Sequence, residues 1–183
     1  MKSKRKGFTV LELILALGIT VLVLGVVYSF FLTNTRTINE TQINLDLQKS
    51  GEDSLSKISK KIMEARSIVG IISDNGTPVV GLTTCNIFSI TFQTLQQNGN
   101  INYELRNHVL TETVVNQDGT TTRTQVGQDI QSITVNSIDN AVPLVDGHST
   151  CRGINISISL AKNYSGRTYT YTVRTTINFR NHS

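Results

Sequence analysis

Between Phe8 and Leu32 the chain reads FTVLELILALGITVLVLGVVYSFFL, with one charge, Glu12. A helix that is apolar on every face needs either a large core or a bilayer around it. As a helix this run is roughly 37 Å long, enough to cross a bilayer core of about 30 Å with some tilt. Lys2, Lys4, Arg5 and Lys6 precede it, followed by Gly7. Cations on that side hold the N-terminus in the cytoplasm and place everything after Leu32 outside. A cleavable secretory signal fits poorly: its apolar region spans only about 7–15 residues, and no A-x-A site follows here.

Glu12 does not suit a plain anchor. A carboxylate inside an apolar helix costs on the order of 3 kcal/mol at the bilayer centre, less near an interface, and such a group usually has a partner. The basic leader, Gly7, Phe8, Thr9, Glu12 and the apolar run, in that order, resemble the class III leader of type IV pilins and type II secretion pseudopilins. The resemblance implies that a prepilin peptidase cuts between Gly7 and Phe8 and methylates the new amine of Phe8. It also implies that Glu12 pairs with the terminal amine of a neighbouring subunit. One buried carboxylate and one buried amine from adjacent chains then satisfy each other and fix subunit register. A plain membrane-anchored domain would instead keep Met1–Gly7.

The chain carries 17 Lys+Arg against 13 Asp+Glu. Four of the cations lie in residues 1–6, so without the leader the side chains balance, 13 against 13. The basic pI is therefore no argument for nucleic-acid binding by the mature chain. Acids dominate residues 70–150, whereas Arg152, Lys162, Arg167, Arg174 and Arg180 have no acid among them in residues 151–183. Paired strands would intermix these charges; a bipolar head stacking on charged neighbours is the sharper alternative. Cys85 and Cys151 are the two cysteines. In an exported domain they are expected to form a disulfide closing a long loop, worth roughly 4 kcal/mol in the chain-entropy model.

Residues 33–69 read as a continuation of the helix. Ile38 and Leu45 are a heptad apart, and Leu55, Ile58, Ile62, Ala65 and Val69 follow at three- and four-residue spacing. No proline interrupts Phe8–Val69, and Gly51 is a soft spot of about 1 kcal/mol against alanine. Major pilins often carry a proline kink near the position that Ser29 holds here. From Gly70 the texture turns to strands. Asp74-Asn75-Gly76-Thr77-Pro78 is a turn, and Phe88, Ile90 and Phe92 alternate. Asn98-Gly99 and Asp118-Gly119 mark hairpins. Ile101, Tyr103 and Leu105 form a return strand, and Ile130, Ile133 and Val135 imply a strand with a bulge or register change. Residues 137–153 form a loop. Ile154, Ile156, Ile158 and Leu160 alternate cleanly, and Ser165-Gly166 leads into Thr168–Phe179 as the longest strand.

The expected fold class is therefore α+β, a long N-terminal helix packed on an antiparallel β-sheet head. The expected divisions are a leader (1–7), a transmembrane and assembly helix (8–32), its amphipathic continuation (33–69) and an extracytoplasmic head (70–183). The segments INYELRNHVL, VGQDIQSITV and GINISISL, and the closing YTVRTTINFRN, resemble the J-type minor pseudopilins and PilW-like minor pilins, whose chains also end in Arg-Asn, here Arg180-Asn181. That resemblance implies a non-catalytic subunit at the cell surface. Its partners would be other pilins, the prepilin peptidase, the pilus assembly platform and the membrane.

No cofactor or metal is expected. His108, His148 and His182 stand apart, Asp139 and Asp146 do not have the spacing of a calcium loop, and no nucleophile or phosphate-binding motif occurs. The second class of function is a displayed binding module, an adhesin or a DNA-uptake receptor. Tyr169 and Tyr171 share one strand face near Lys162, Arg167 and Arg174, and stacking with cations suits single-stranded nucleic acid. Tyrosines on a half-buried sheet are the plainer explanation.

Overall fold

The computed structural model describes residues 9–79, 85–94, 99–116, 118–138 and 152–179. The chain divides into two units, Met1–Gln42 and Ile43–Ser183, with helix α1 (Val10–Ile62) contributing to both.

In the first unit the helix is continuous through Ser29. Its hydroxyls turn back on its own backbone. Thr20 donates to the Ala16 carbonyl at 2.8 Å, and Thr33, Thr35 and Thr37 do the same to Ser29, Phe31 and Thr33 at 2.9–3.1 Å. A hydroxyl satisfied in this way can enter an apolar medium without losing a hydrogen bond.

In the second unit one face of α1 is buried: Ile43, Leu47, Gly51, Leu55, Ile58 and Ile62, at steps of three and four, with Ser54 beside them. Ile38 and Leu45, expected on the stripe, are exposed (60% and 54%). The stripe runs through Gly51 instead, a position that no hydrophobic pattern marks. A Cβ there would meet Leu160 Cδ1 at 2.9 Å and Val173 Cγ1 at 3.3 Å. Gly51 is thus a point of close helix–sheet approach rather than a soft spot. Three residues later, Ser54 meets Gly127, where a Cβ would collide with the serine Oγ. That Oγ donates to the Ser50 carbonyl at 2.6 Å and lies 3.4 Å from the Val126 carbonyl.

The helix was expected to reach Val69 but ends at Ile62, with Lys60 and Lys61 in its last turn, where cations favour the C-terminal dipole. Ala65–Ser73 is strand β1. Its pairing shifts register at Ala65/Ser67, Ile68/Gly70 and Ile72/Ser73. Those bulges break the two-residue alternation, so the buried Ala65, Ile68 and Ile71 fall at helix-like spacing.

Among the described residues seven more strands follow: β2 (Cys85–Thr94), β3 (Asn100–Arg106), β4 (Val109–Val115), β5 (Thr121–Gly127), β6 (Ile130–Ser137), β7 (Gly153–Tyr164) and β8 (Arg167–Asn178). The antiparallel sheet has the order β5-β4-β3-β2-β6-β7-β8, with β1 also on β2. Strand β2 joins two groups. Ser89–Gln93 pair with β3, whereas among the described residues Cys85 and Asn86 pair with β6. Strands β2 and β3 pair antiparallel on either side of the Asn98-Gly99 signal, whose turn lies mostly outside the described residues, and the other two expected turns form. Asn116 and Thr120 close the turn around Gly119, and Ser165 and Gly166 both take positive φ, 50° and 77°, between β7 and β8. Such paired left-handed residues match the strand twist. Asn107 and His108 do the same between β3 and β4. The register change expected around Ile130 falls between Ile130 and Ser132. Strand β8 shares its length of 12 residues with β7.

The core gathers Ile154, Ile156, Ile158 and Leu160 from β7 with Ile130, Ile133 and Val135 from β6. Phe92 stacks edge-on with Tyr103 and Phe179, ring centroids 6.3 and 6.4 Å apart. Phe88 is only half-buried, under the Arg106 guanidinium at 5.5 Å, and Ile87 takes the core position. Tyr103, 2% exposed, donates its hydroxyl to Glu112 Oε2 at 2.6 Å. Burial first, then the bond and charge of Glu112, push the phenol far above its ordinary value of 10.0.

Two outcomes follow from this packing. Gly127→Ala should cost about 1–3 kcal/mol in thermal denaturation, and less in a Ser54→Gly background, because the clashing hydroxyl is then gone. The Tyr103 phenol keeps its proton in the folded chain and loses it on unfolding above pH 10, so its contribution is complete below that pH and fades as pH rises further. Tyr103→Phe should flatten the stability decline above about pH 10, as read from denaturant midpoints across an alkaline series.

Candidate functional site

The first turn of α1 is built by the four residues Thr9-Val10-Leu11-Glu12. Thr9 precedes the helix, which begins at Val10. The Thr9 N–H and hydroxyl both donate to Glu12 Oε2, at 2.9 and 3.0 Å, and the Glu12 N–H points to Thr9 Oγ1 at 3.3 Å. This reciprocal pattern is a capping box, with Thr9 as the N-cap and Glu12 as the third helical residue. It supplies partners to N–H groups that the first turn leaves open. The sequence carried the signal, a Thr-x-x-Glu before an apolar run, although reading Glu12 only as an intermolecular group passes over it. Glu12 Oε1 has no partner among the described residues.

Beyond Glu12 the helix is an unbroken apolar surface. The large hydrophobic residues from Val10 to Phe31 are each more than half exposed, and Leu32 is 41% exposed. A continuous patch of this size requires lipid or other chains to cover it. Gly7 and Phe8, and the four leader cations, lie outside the described residues.

Residues 2–28 match the prokaryotic N-terminal methylation motif. The match spans the basic leader, Gly7, Phe8, the Thr9–Glu12 cap and the first turns of α1. It supports a class III prepilin-type precursor, and its family is structural rather than enzymatic. With the exposed apolar helix, it also supports membrane anchoring followed by assembly with other pilins. No curated protein matches the chain.

The other sequence candidates fall out as follows. Cys85 opens β2, its backbone opposite Val135, but its side chain and Cys151 lie outside the described residues. His148, His182, Asp139, Asp146, Arg180 and Asn181 lie outside them too. His108 sits in the β3–β4 turn, its Nδ1 3.1 Å from the Ile130 carbonyl. Among the described residues no three His, Cys, Asp or Glu side chains gather as a metal site.

Strand β8 separates the tyrosines from Arg174. Tyr169, Tyr171 and Val173 pack against the core, and the Tyr171 hydroxyl lies 3.4 Å from Glu52 Oε1. Arg174, next in sequence, points from the opposite face by strand alternation. Lys162 stands opposite Tyr169, 4.0 Å from Asp129. The tyrosines and Arg174 therefore do not form one stacking surface. That exposed Lys162–Asp129 pair joins the basic and acidic segments, though such pairs contribute little stability.

The cap gives a direct expectation. Thr9→Ala should weaken the first turn by about 1 kcal/mol, seen as roughly fivefold faster amide exchange at Leu11 and Glu12 in micelles, whereas Thr9→Ser should retain protection.

Proposed function

We propose that this chain is a minor pilin or pseudopilin of the J-type or PilW-like kind, a non-catalytic subunit. It is inserted as a single-pass segment, cut between Gly7 and Phe8, and methylated at the Phe8 amine. It then enters, or tops, a type IV pilus or a type II secretion-like pseudopilus. In this reading residues 1–7 are the leader, 8–32 are the assembly segment, and the rest of the chain is extracytoplasmic. The observation that carries the proposal is the methylation motif over residues 2–28.

The geometry of the first turn agrees with that role. Before assembly, Glu12 is held by its own N-cap through Oε2. Oε1 can then accept the ammonium of an incoming neighbour without first breaking the cap. A carboxylate with donors on both oxygens is far less costly in an apolar setting than a bare one. We also propose the Cys85–Cys151 disulfide. Cys85 pairs with Val135 on β6, and the Ile138 N–H on the same side reaches the carbonyl of Gly153, two residues after Cys151.

Mass spectrometry of the chain recovered from a host with a prepilin peptidase tests processing. The expected species begins at N-methylated Phe8; retention of Met1–Gly7 refutes the proposal. Glu12→Val should insert in the membrane as well as the parent chain, or better, while its recovery in sheared pili falls about tenfold or more. Undiminished recovery would remove the role given to Glu12.

A further inference from the structure

On the side of β6, β7 and β8 turned away from the core lies a concavity of about 540 Å³ lined by Thr134, Asn136, Asn155, Ser157, Arg174 and Thr176. Strand register sets these side chains in two neighbouring rows. Thr134, Ser157 and Arg174 form one, and Asn136, Asn155 and Thr176 the other. Cross-strand neighbours on one face stand about 5 Å apart, and successive rows about 7 Å. Among the described residues no carboxylate and no aromatic ring lines the hollow.

The internal hydrogen bonds decide what chemistry is left over. The Thr176 hydroxyl donates to Asn155 Oδ1 at 2.6 Å, and the Thr134 hydroxyl donates to Asn86 Oδ1 at 3.0 Å. Both amides have given their acceptor oxygen to a neighbour, and their NH₂ groups remain as donors. Asn136, Ser157 and Arg174 have no side-chain partner among the described residues. Among the described residues a guanidinium and amide donors thus face a hollow without an acid. The open groups are mostly donors, which call for acceptors and for one negative charge at Arg174, while Asn136 and Ser157 can also accept.

The same inventory discriminates among anions. Nucleic acid presents a charge at every nucleotide and is held by several cations and by stacking platforms; the described lining has one cation and no ring. A small inorganic anion would use Arg174 and leave the second row and most of the volume idle. A hydroxyl-rich chain with a carboxylate on a sugar ring uses both rows.

We propose that this concavity binds an acidic polysaccharide, with a uronate carboxylate on Arg174 and ring hydroxyls on Asn136, Asn155 and Ser157. The proposal rests on the sheet alone, not on the leader or the first turn. Its failure would leave the pilin reading intact, and the reverse also holds.

The test is calorimetric titration of the full-length chain in detergent micelles with polygalacturonate oligosaccharides, with neutral dextran and duplex DNA as comparison ligands. Polygalacturonate should bind saturably and the other two should not. Arg174→Ala should weaken binding at least about tenfold, and Arg174→Lys, which keeps charge but not the planar fork, should fall between. Arg123→Ala, an equal charge change on β5, should leave affinity unchanged, and circular dichroism reports whether each variant is folded. No binding of polygalacturonate, equal binding by folded Arg174→Ala, or equal affinity for dextran or DNA overturns the proposal.

Discussion

Helix α1 can lie against two groups of strands at once only because its crossing points are small. Ser54 fits over Gly127 at the end of β5, and Gly51 admits Leu160 and Val173 from β7 and β8. The two groups share little backbone pairing among the described residues, where β6 meets β2 at Cys85 and Asn86. Two rungs of ladder are a weak joint. What holds the halves together is the shared apolar contact, in which Leu47, Leu55, Ile58 and Ile62 join residues of β2, β3, β6 and β7 in one core. A larger side chain at either crossing would have to displace Leu160 or Ser54 before helix and sheet could keep this spacing.

Much of this was legible from residues alone, for identifiable reasons. Strand β7 alternates without a break, and a glycine with left-handed backbone marks the turns at Gly119 and Gly166. The errors are equally specific. Bulges in β1 spaced Ala65, Ile68 and Ile71 like a helix face, and β-branched Ile68, Val69, Ile71 and Ile72 were the contrary signal. The helix stripe was misplaced onto Ile38 and Leu45 because its actual line passes through glycine and serine, which carry no hydropathy. In β2 the core phase changes between Ile87 and Ile90, where the strand passes from one partner to the other, so Phe88 was assigned a place that Ile87 holds.

The functional features divide along the same lines. The membrane segment with Glu12 is local in sequence, so spacing and composition suffice to find it. The cap by Thr9 is equally local. The polar concavity is neither. It depends on the register that sets β6, β7 and β8 side by side, and on serine, threonine and asparagine, which are ordinary on any wet sheet face. Only register reveals that Arg174 stands in a row with Ser157 and Thr134 while the tyrosines beside it in sequence face the other way.

The threonines of the N-terminal helix have a mechanical consequence. Thr20, Thr33, Thr35 and Thr37 spend their hydroxyls on carbonyls one turn back. From Leu13 to Leu32 the side chains left to offer a neighbour a hydrogen bond are then Tyr28 and Ser29, at one end of the apolar run. Two such segments laid side by side in lipid have few polar groups with which to prefer one axial offset over another. In the proposed filament, axial spacing would then rest largely on the proposed pairing of one carboxylate at the end of each segment, and load would concentrate on a contact one residue wide, repeated once in every subunit.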